Sequence, residues 1–164
     1  MRPSTNLVDR LQFPSADWNG SLVTFFPSET LKTSDYLIKI ALVFAFDKDR
    51  IAVAEIQGRG LCIPGGHLKP QETAEDAARR EAMEEAGISL GPLSLAGNFI
   101  VVGEQDHLSR LIPCFMADIL EYHSIPKGSE SSGIELLRMH ELPARYYMWD
   151  QLLENVFLYV FSLH

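Results

Sequence analysis

Gly65-Gly66-His67-Leu68-Lys69-Pro70-Gln71-Glu72-Thr73-Ala74-Glu75-Asp76-Ala77-Ala78-Arg79-Arg80-Glu81-Ala82-Met83-Glu84-Glu85-Ala86-Gly87-Ile88 reads as a glycine loop feeding a helix. Thr73 followed by Asp76 is a capping-box spacing, the alanine-rich run to Ala86 favours helix, and Gly87 is the residue type expected just past a helix end. The pattern predicts a helix over residues 74–86. At about 3.6 residues per turn, Glu81, Glu84 and Glu85 fall on one face, which Ala74, Ala77 and Ala78 share and leave small and uncluttered. Like charges at i,i+4, as at Glu81 and Glu85, disfavour a helix by roughly 0.2–0.5 kcal/mol, and these sit at the negative end of the macrodipole. A cation is needed to offset that arrangement. Oxygen-only ligands suit a hard divalent ion, Mg²⁺ or Mn²⁺, which keeps several waters and shares its other positions with substrate phosphates. A solvated acidic face is the plainer account of a lone Glu-x-x-Glu-Glu, but it leaves the glycine pair and the spacing unexplained.

The stretch resembles the signature of the Nudix hydrolases: a Gly, a Glu, an Arg-Glu pair, an apolar residue, a Glu-Glu pair, a Gly and an apolar residue at fixed spacing. Gly66, Glu72, Arg80-Glu81, Ala82, Glu84-Glu85, Gly87 and Ile88 stand at those places. Ala82 departs from the usual Ile, Leu or Val, which touches the packing beneath the helix rather than the chemistry. The direct match covers residues 66–88, and the rest of the chain fits by layout.

With 164 residues, 46% of them hydrophobic, the chain is long enough for one globular domain and too short for a second catalytic one. Its 22 acidic and 14 basic residues leave a formal charge of −8, which would repel a nucleic acid unless a basic patch or a metal intervened. Residues 1–14 lack a signal-peptide core and no window approaches a membrane span, so a cytoplasmic protein with no membrane partner is expected. Cys62 and Cys114 lie in apolar surroundings without metal-ligand spacing and read as small buried hydrophobes in a reducing compartment, a disulfide between them being the lesser alternative.

In chain order, residues 1–20 read as an N-terminal extension and Ser21–Phe26 as a strand. Tyr36–Phe46 reads as a central strand buried on both faces, and Arg50–Ile56 as its hairpin partner after a turn at Asp47-Lys48-Asp49. Gln57-Gly58-Arg59-Gly60 is a second turn and Leu61-Cys62-Ile63 a short strand ended by Pro64 and the glycine pair. Leu93–Val102 and Leu108–Leu120 read as strands, with Pro113 suggesting an edge or a bulge. Tyr122–Gly133 is a polar, mobile surface loop and Ile134–Arg138 a short strand. Residues 145–163 form the expected C-terminal helix, whose aromatic content leaves a homodimer interface as a second reading. The order of elements gives a mixed α/β layout. The resemblance implies one Nudix domain over residues 1–164, an α/β/α sandwich with a mixed β-sheet, the motif helix and the C-terminal helix.

It also implies the chemistry. Glu81, Glu84 and Glu85 are the expected metal ligands, with the backbone carbonyl of Gly65 or Gly66, while Arg80 and Glu72 organise the motif by polar contacts. Arg80 also has the spacing of a surface partner for Glu84. Gly65, Gly66 and His67 are expected to meet substrate; His67 stands where relatives often carry Lys and is read either as a donor to phosphate or as a plain exposed loop residue. The general base falls within the family on a motif Glu or on an acid of a later loop, for which Glu104 leads, then Asp106, then Glu135. Marks of three subgroups are missing: no Ser-Gln-Pro-Trp run follows the motif, and Val102-Gly103 and Gln105-Asp106 stand where a Pro and a Tyr would fall. The compact size points by association to hydrolysis of a nucleoside triphosphate, including oxidised ones such as 8-oxo-dGTP, to monophosphate and pyrophosphate. The alternatives are an ADP-ribose or sugar-nucleotide pyrophosphatase and a nucleotide sensor without turnover. Phe25, Phe26, Tyr36 or Phe44 are candidates to stack on a base.

Overall fold

A computed structural model describes residues 12–27, 36–103 and 109–164. The central run, read as buried on both faces, contains β4 (Ile40–Asp47), whose successive side chains point to opposite faces of the sheet. Ala41, Val43 and Ala45 join one buried cluster, and Phe44 and Phe46 join the other, with Leu42 packed against it. The small residues receive α1 (Ala74–Ala86) and the large ones α3 (Gln151–Leu163). This is the expected α/β/α sandwich.

The sheet is mixed. Its main path runs β1 (Ala16–Trp18), β2 (Ser21–Pro27), β9 (Ser94–Val102), β10 (Ser109–Tyr122), β4, β5 (Arg50–Ile56) and β11 (Ser131–Leu137). β10 pairs parallel with β4 and antiparallel with β9. Short strands β3 (Leu37–Ile38) and β8 (Ile88–Leu90) attach to β10, β6 (Gly60–Cys62) to β5, and β7 (Gly65–His67) to β4.

Several expectations need correction. Tyr36–Phe46 is not one strand: it breaks at Lys39, whose carbonyl accepts a hydrogen bond from Leu68 N–H at 2.8 Å. Pro113 is not on an edge but in the central strand β10. It falls between the rungs Leu111↔Ile38 and Cys114↔Leu42, where the break at Lys39 already interrupts the ladder and no N–H is required. The suspected bulge lies one residue on, between Cys114 and Phe115. The Gly65-Gly66 loop is a strand, because the β4–β5 hairpin stays paired only at Phe46↔Ile51 and Asp47↔Arg50 and then splays, letting β7 pair with β4.

Residues 1–20 are not wholly an extension, since Ala16–Trp18 pairs with β2. The helix of 145–163 starts at Gln151, where Asp150 accepts a hydrogen bond from Leu153 N–H, and a separate short helix α2 (Leu142–Arg145) precedes it. Tyr146 and Trp149 therefore lie before the helix, and they pack with Phe157 rather than face outward. These aromatics are spent on the core and no longer argue for a subunit interface. Cys62 is half-buried, Cys114 buried, and both are free.

Ala77 and Ala78 do not leave an open face; with Ala82 and Ala86 they are buried against the sheet's own alanines, among them Ala41, Ala45 and Ala52. Small residues on both sides let the helix axis approach closely, which is why Ala82 stands where relatives carry a larger residue. Ala82→Ile, although it restores the family pattern, is expected to destabilise the fold by about 1–3 kcal/mol through overpacking. Thermal or urea denaturation measures it, and an unchanged midpoint would contradict this packing account.

Candidate active site

α1 brings the carboxylates to one cleft, as its caps predict. Thr73 Oγ1 accepts a hydrogen bond from Asp76 N–H at 3.1 Å, and Gly87 ends the helix in the left-handed conformation at φ 61°. The cleft, about 710 Å³, is lined by Gly65, Gly66, His67, Arg80, Glu81, Glu84 and Glu85. Every residue expected to meet metal or substrate within the motif therefore faces the same space.

Arg80 sits at its centre. Its guanidinium donates to both oxygens of Glu72 at 2.8 and 3.0 Å, to Glu81 at 2.9 Å, to Glu84 at 3.0 Å and to the carbonyl of His67 at 2.9 Å. Arg80 thus contacts Glu72, Glu81 and the His67 carbonyl and also pairs with Glu84 one turn on. The hydrogen bond from Arg80, helped by the backbone N–H of Lys69, lowers the pKa of Glu72 to about 2. Glu72 is thereby a permanent anchor holding the arginine against the helix.

The glycines serve packing. A Cβ on Gly66 would lie 2.4 Å from a Glu81 carboxylate oxygen, and one on Gly65 would lie 2.5 Å from the carbonyl oxygen of Ala41. Glycine is needed there for room, with neither residue at positive φ. Gly65 N–H donates to Glu85 Oε2 at 3.2 Å. Glu85 is only 7% exposed, and its burial raises its pKa to about 7 despite that hydrogen bond, with the nearby Glu81 charge acting in the same direction.

The donor set suits a hard cation. Each carboxylate is tethered through one oxygen: Glu81 Oε1 and Glu84 Oε2 by Arg80, Glu85 Oε2 by Gly65. Among the described residues no hydrogen bond engages the second oxygen of any of the three, although Lys69 Nζ lies 3.9 Å from that of Glu84. Among the described residues no three His, Cys, Asp or Glu side chains converge closely enough to hold a metal ion as they stand. An open set of oxygens is the kind Mg²⁺ uses, since it keeps waters and few protein ligands.

Sequence reading missed the opposite wall. The segment Pro126–Glu130, read as a loop and no more, lines the cleft with Lys127 and Glu130. Arg59, at the tip of the β5–β6 hairpin, lines it too and lies 3.9 Å from Glu130. A charged residue between Gly58 and Gly60 was the available signal for Arg59; for Glu130 the Ser/Gly-rich context gives none. Of the proposed bases, Glu104 and Asp106 lie outside the described residues. Glu135 does not line the cleft, being ion-paired with Arg145.

A second cavity of about 260 Å³ adjoins the first and is largely apolar. Leu42, Arg59, Gly65 and Glu85 line both. Its walls are Phe44, Phe99, Ile63 and Phe157, with Trp18, Asn19, Tyr147 and Met148 also lining it. Tyr146 OH accepts from Ile63 N–H at 3.1 Å and Tyr147 N–H donates to Leu61 at 2.9 Å, tying the segment before α3 to β6. Of the four stacking candidates only Phe44 lines this cavity, while Phe25 packs with Phe13 and Phe99 in the core.

Comparison with known proteins places the same elements. The family model described as NUDIX domain matches residues 38–156. A Bacillus subtilis (strain 168) protein named "Putative 8-oxo-dGTP diphosphatase YtkD" is 35% identical over 91 residues, 56% of this chain and 55% of that protein. The chain thus spans about half the length of the curated relative it matches. The crystal structure of a mutant of the Bacillus subtilis pyrophosphohydrolase BsRppH superposes at TM-score 0.76, with 23% identity over 92% of this chain and 97% of that one. A NUDIX hydrolase from Nitrosomonas europaea superposes at TM-score 0.62, with 20% identity over 77% of this chain and 89% of that one. At such identities the likeness is one of fold.

Proposed function

This chain belongs to the Nudix family, and from that premise we propose that it hydrolyses a nucleoside triphosphate to nucleoside monophosphate and pyrophosphate. The observation that carries the reading is the junction of the two cavities: a carboxylate wall suited to a cation and phosphates opens directly into an apolar pocket suited to a base. The name of the Bacillus subtilis relative points to the same substrate class. Two free thiols accord with a cytoplasmic setting.

In this reading Glu81, Glu84 and Glu85 hold Mg²⁺ or Mn²⁺ through the oxygens that Arg80 and Gly65 N–H leave open, together with the carbonyl of Gly65. The bound ion supplies charge neutralisation at the phosphoryl oxygens. Arg59, at the border of the cavities, faces the phosphate that joins base and cation sites, and His67 and Lys127 supply donors further along the cleft. Water attacks phosphorus, its proton passes to a carboxylate on the wall facing α1, and the bond to the pyrophosphate oxygen breaks. Among the described residues Glu130 is the acid lining the cleft that α1 does not carry. Arg80 acts by fixing two carboxylates rather than by touching substrate.

The test is a panel of nucleoside triphosphates, 8-oxo-dGTP, ADP-ribose, NADH, dinucleoside polyphosphates and sugar nucleotides, read by chromatography with Mg²⁺ and with EDTA. The expected result is highest kcat/KM on a triphosphate and turnover abolished by EDTA. Preferred cleavage of ADP-ribose or a sugar nucleotide would overturn the substrate assignment. Tight binding without cleavage would make the protein a nucleotide sensor.

A further inference from the structure

The match to the family begins at residue 38, yet the apolar pocket has part of its wall from before that point. Trp18 and Asn19, on the β1–β2 hairpin, line it together with Tyr147 and Met148. The hairpin is firmly placed. β2 pairs with β9 along Leu22–Pro27, and the Trp18 ring lies 5.3 Å from that of Phe99. Trp18 Nε1–H donates to Asp150 Oδ2 at 2.7 Å, while Asp150 Oδ1 caps α3. One carboxylate therefore fixes both the hairpin and the helix that floors the pocket.

The turn itself is Asn19-Gly20, with φ of 53° and 86°, the two-residue type that favours Asn-Gly. The turn accounts for an Asn here as backbone. It does not account for an amide side chain among the residues that line the pocket. Trp18 N–H is spent on Asp150, the Cys62 thiol points to Gly60 O at 3.7 Å, and Glu85 belongs to the phosphate side, while the Tyr146 hydroxyl accepts from Ile63 N–H and keeps its O–H, and the Tyr147 hydroxyl offers its donor and acceptor on a single atom. Arg59 offers donors alone. Among the described residues lining the pocket, Asn19 is the side chain that carries a donor and an acceptor side by side, and no hydrogen bond engages it.

We propose that the β1–β2 hairpin is the base-reading element of this pocket and that Asn19 sets the preference among bases. The proposal rests on the nucleotide reading above and deepens it. A carboxamide matches the edge of adenine, where an amino N–H adjoins a ring acceptor, and that of guanine, where a carbonyl adjoins N1–H. A carboxylate at the same place accepts only, so it matches the paired N1–H and N2–H donors of guanine and no adjacent pair on adenine.

Asn19→Asp keeps a residue that tolerates the left-handed turn, and Asn19→Gly removes the side chain without strain at that φ. Steady-state kcat/KM for GTP, ATP, CTP and UTP, with binding of each nucleotide measured in parallel by calorimetry, tests the idea. Asn19→Asp is expected to raise the guanine-to-adenine ratio about 10–100-fold, the scale of one bidentate contact. Asn19→Gly should instead bring the four bases to within about threefold of one another, the range left when edge contacts worth a factor of ten or more are gone. A guanine-to-adenine ratio in Asn19→Asp within about twofold of the parent, well under the effect of such a contact, overturns the proposal, as does an equal fall on all four bases. Binding preferences that shift as expected without cleavage would fail the hydrolase reading alone and leave the base-reading role standing.

Discussion

Glu85→Gln is expected to lower kcat by about 10²–10⁴-fold, the size of several kcal/mol of lost charge stabilisation, and in the same protein in EDTA at pH 8 to raise the melting temperature. The two effects have one origin. Burial raises the Glu85 pKa from 4.5 to about 7, so between those values the folded chain holds a proton that the unfolded chain has released. Stability therefore falls as pH rises through that window, and above it the buried charge costs on the order of 3 kcal/mol. Gln keeps an acceptor for Gly65 N–H and removes the charge. At pH 8 the variant should melt several degrees higher than the parent, and at pH 4.5, where the parent is protonated, the gap should close. A variant that melts no higher at pH 8 would mean that Glu85 is not held at a cost and that its burial is not functional strain.

Glu130→Gln is expected to lower kcat by about 10²–10⁴-fold with KM nearly unchanged, as for removal of a general base. Glu130 lines the same cleft as the three carboxylates that would hold the cation, but is carried by the segment before β11 and not by α1. The control is Glu135→Gln, whose carboxylate is engaged with Arg145 outside the cleft. Full activity in Glu130→Gln, with the loss appearing instead in Glu104→Gln or Asp106→Gln, would move proton removal to that residue. Loss in Glu135→Gln alone would contradict the cleft geometry.

The Arg80 network explains how three carboxylates persist so close together. Two of them share one guanidinium nitrogen, Glu81 at 2.9 Å and Glu84 at 3.0 Å, and the third is buried where its proton is retained until about pH 7. The site thus contains its own partial compensation in the absence of a cation. Lys, with one compact ammonium, cannot make the five contacts that Arg80 makes to Glu72, Glu81, Glu84 and the His67 carbonyl.

What the sequence by itself determined was local. The helix over 74–86, its Thr73 and Gly87 caps and the shared face of Glu81, Glu84 and Glu85 follow from spacings of three and four residues, which a helix converts directly into neighbours. β5 at Arg50–Ile56 was legible as a short apolar run returning after a turn and bounded by a second one. The tertiary structure decided what depends on distant segments meeting. The break at Lys39 falls beside Pro113 because β10 lies beside β3 and β4, a pairing no local pattern encodes. Glu130 and Arg59 line the same cleft as the α1 carboxylates because the β4–β5 hairpin splays and β11 returns along β5. Trp18 reaches Asp150 across 132 residues of chain. Whether a loop carboxylate is solvated or aimed into a cleft depends on sheet register, and register is set by burial of both faces at once.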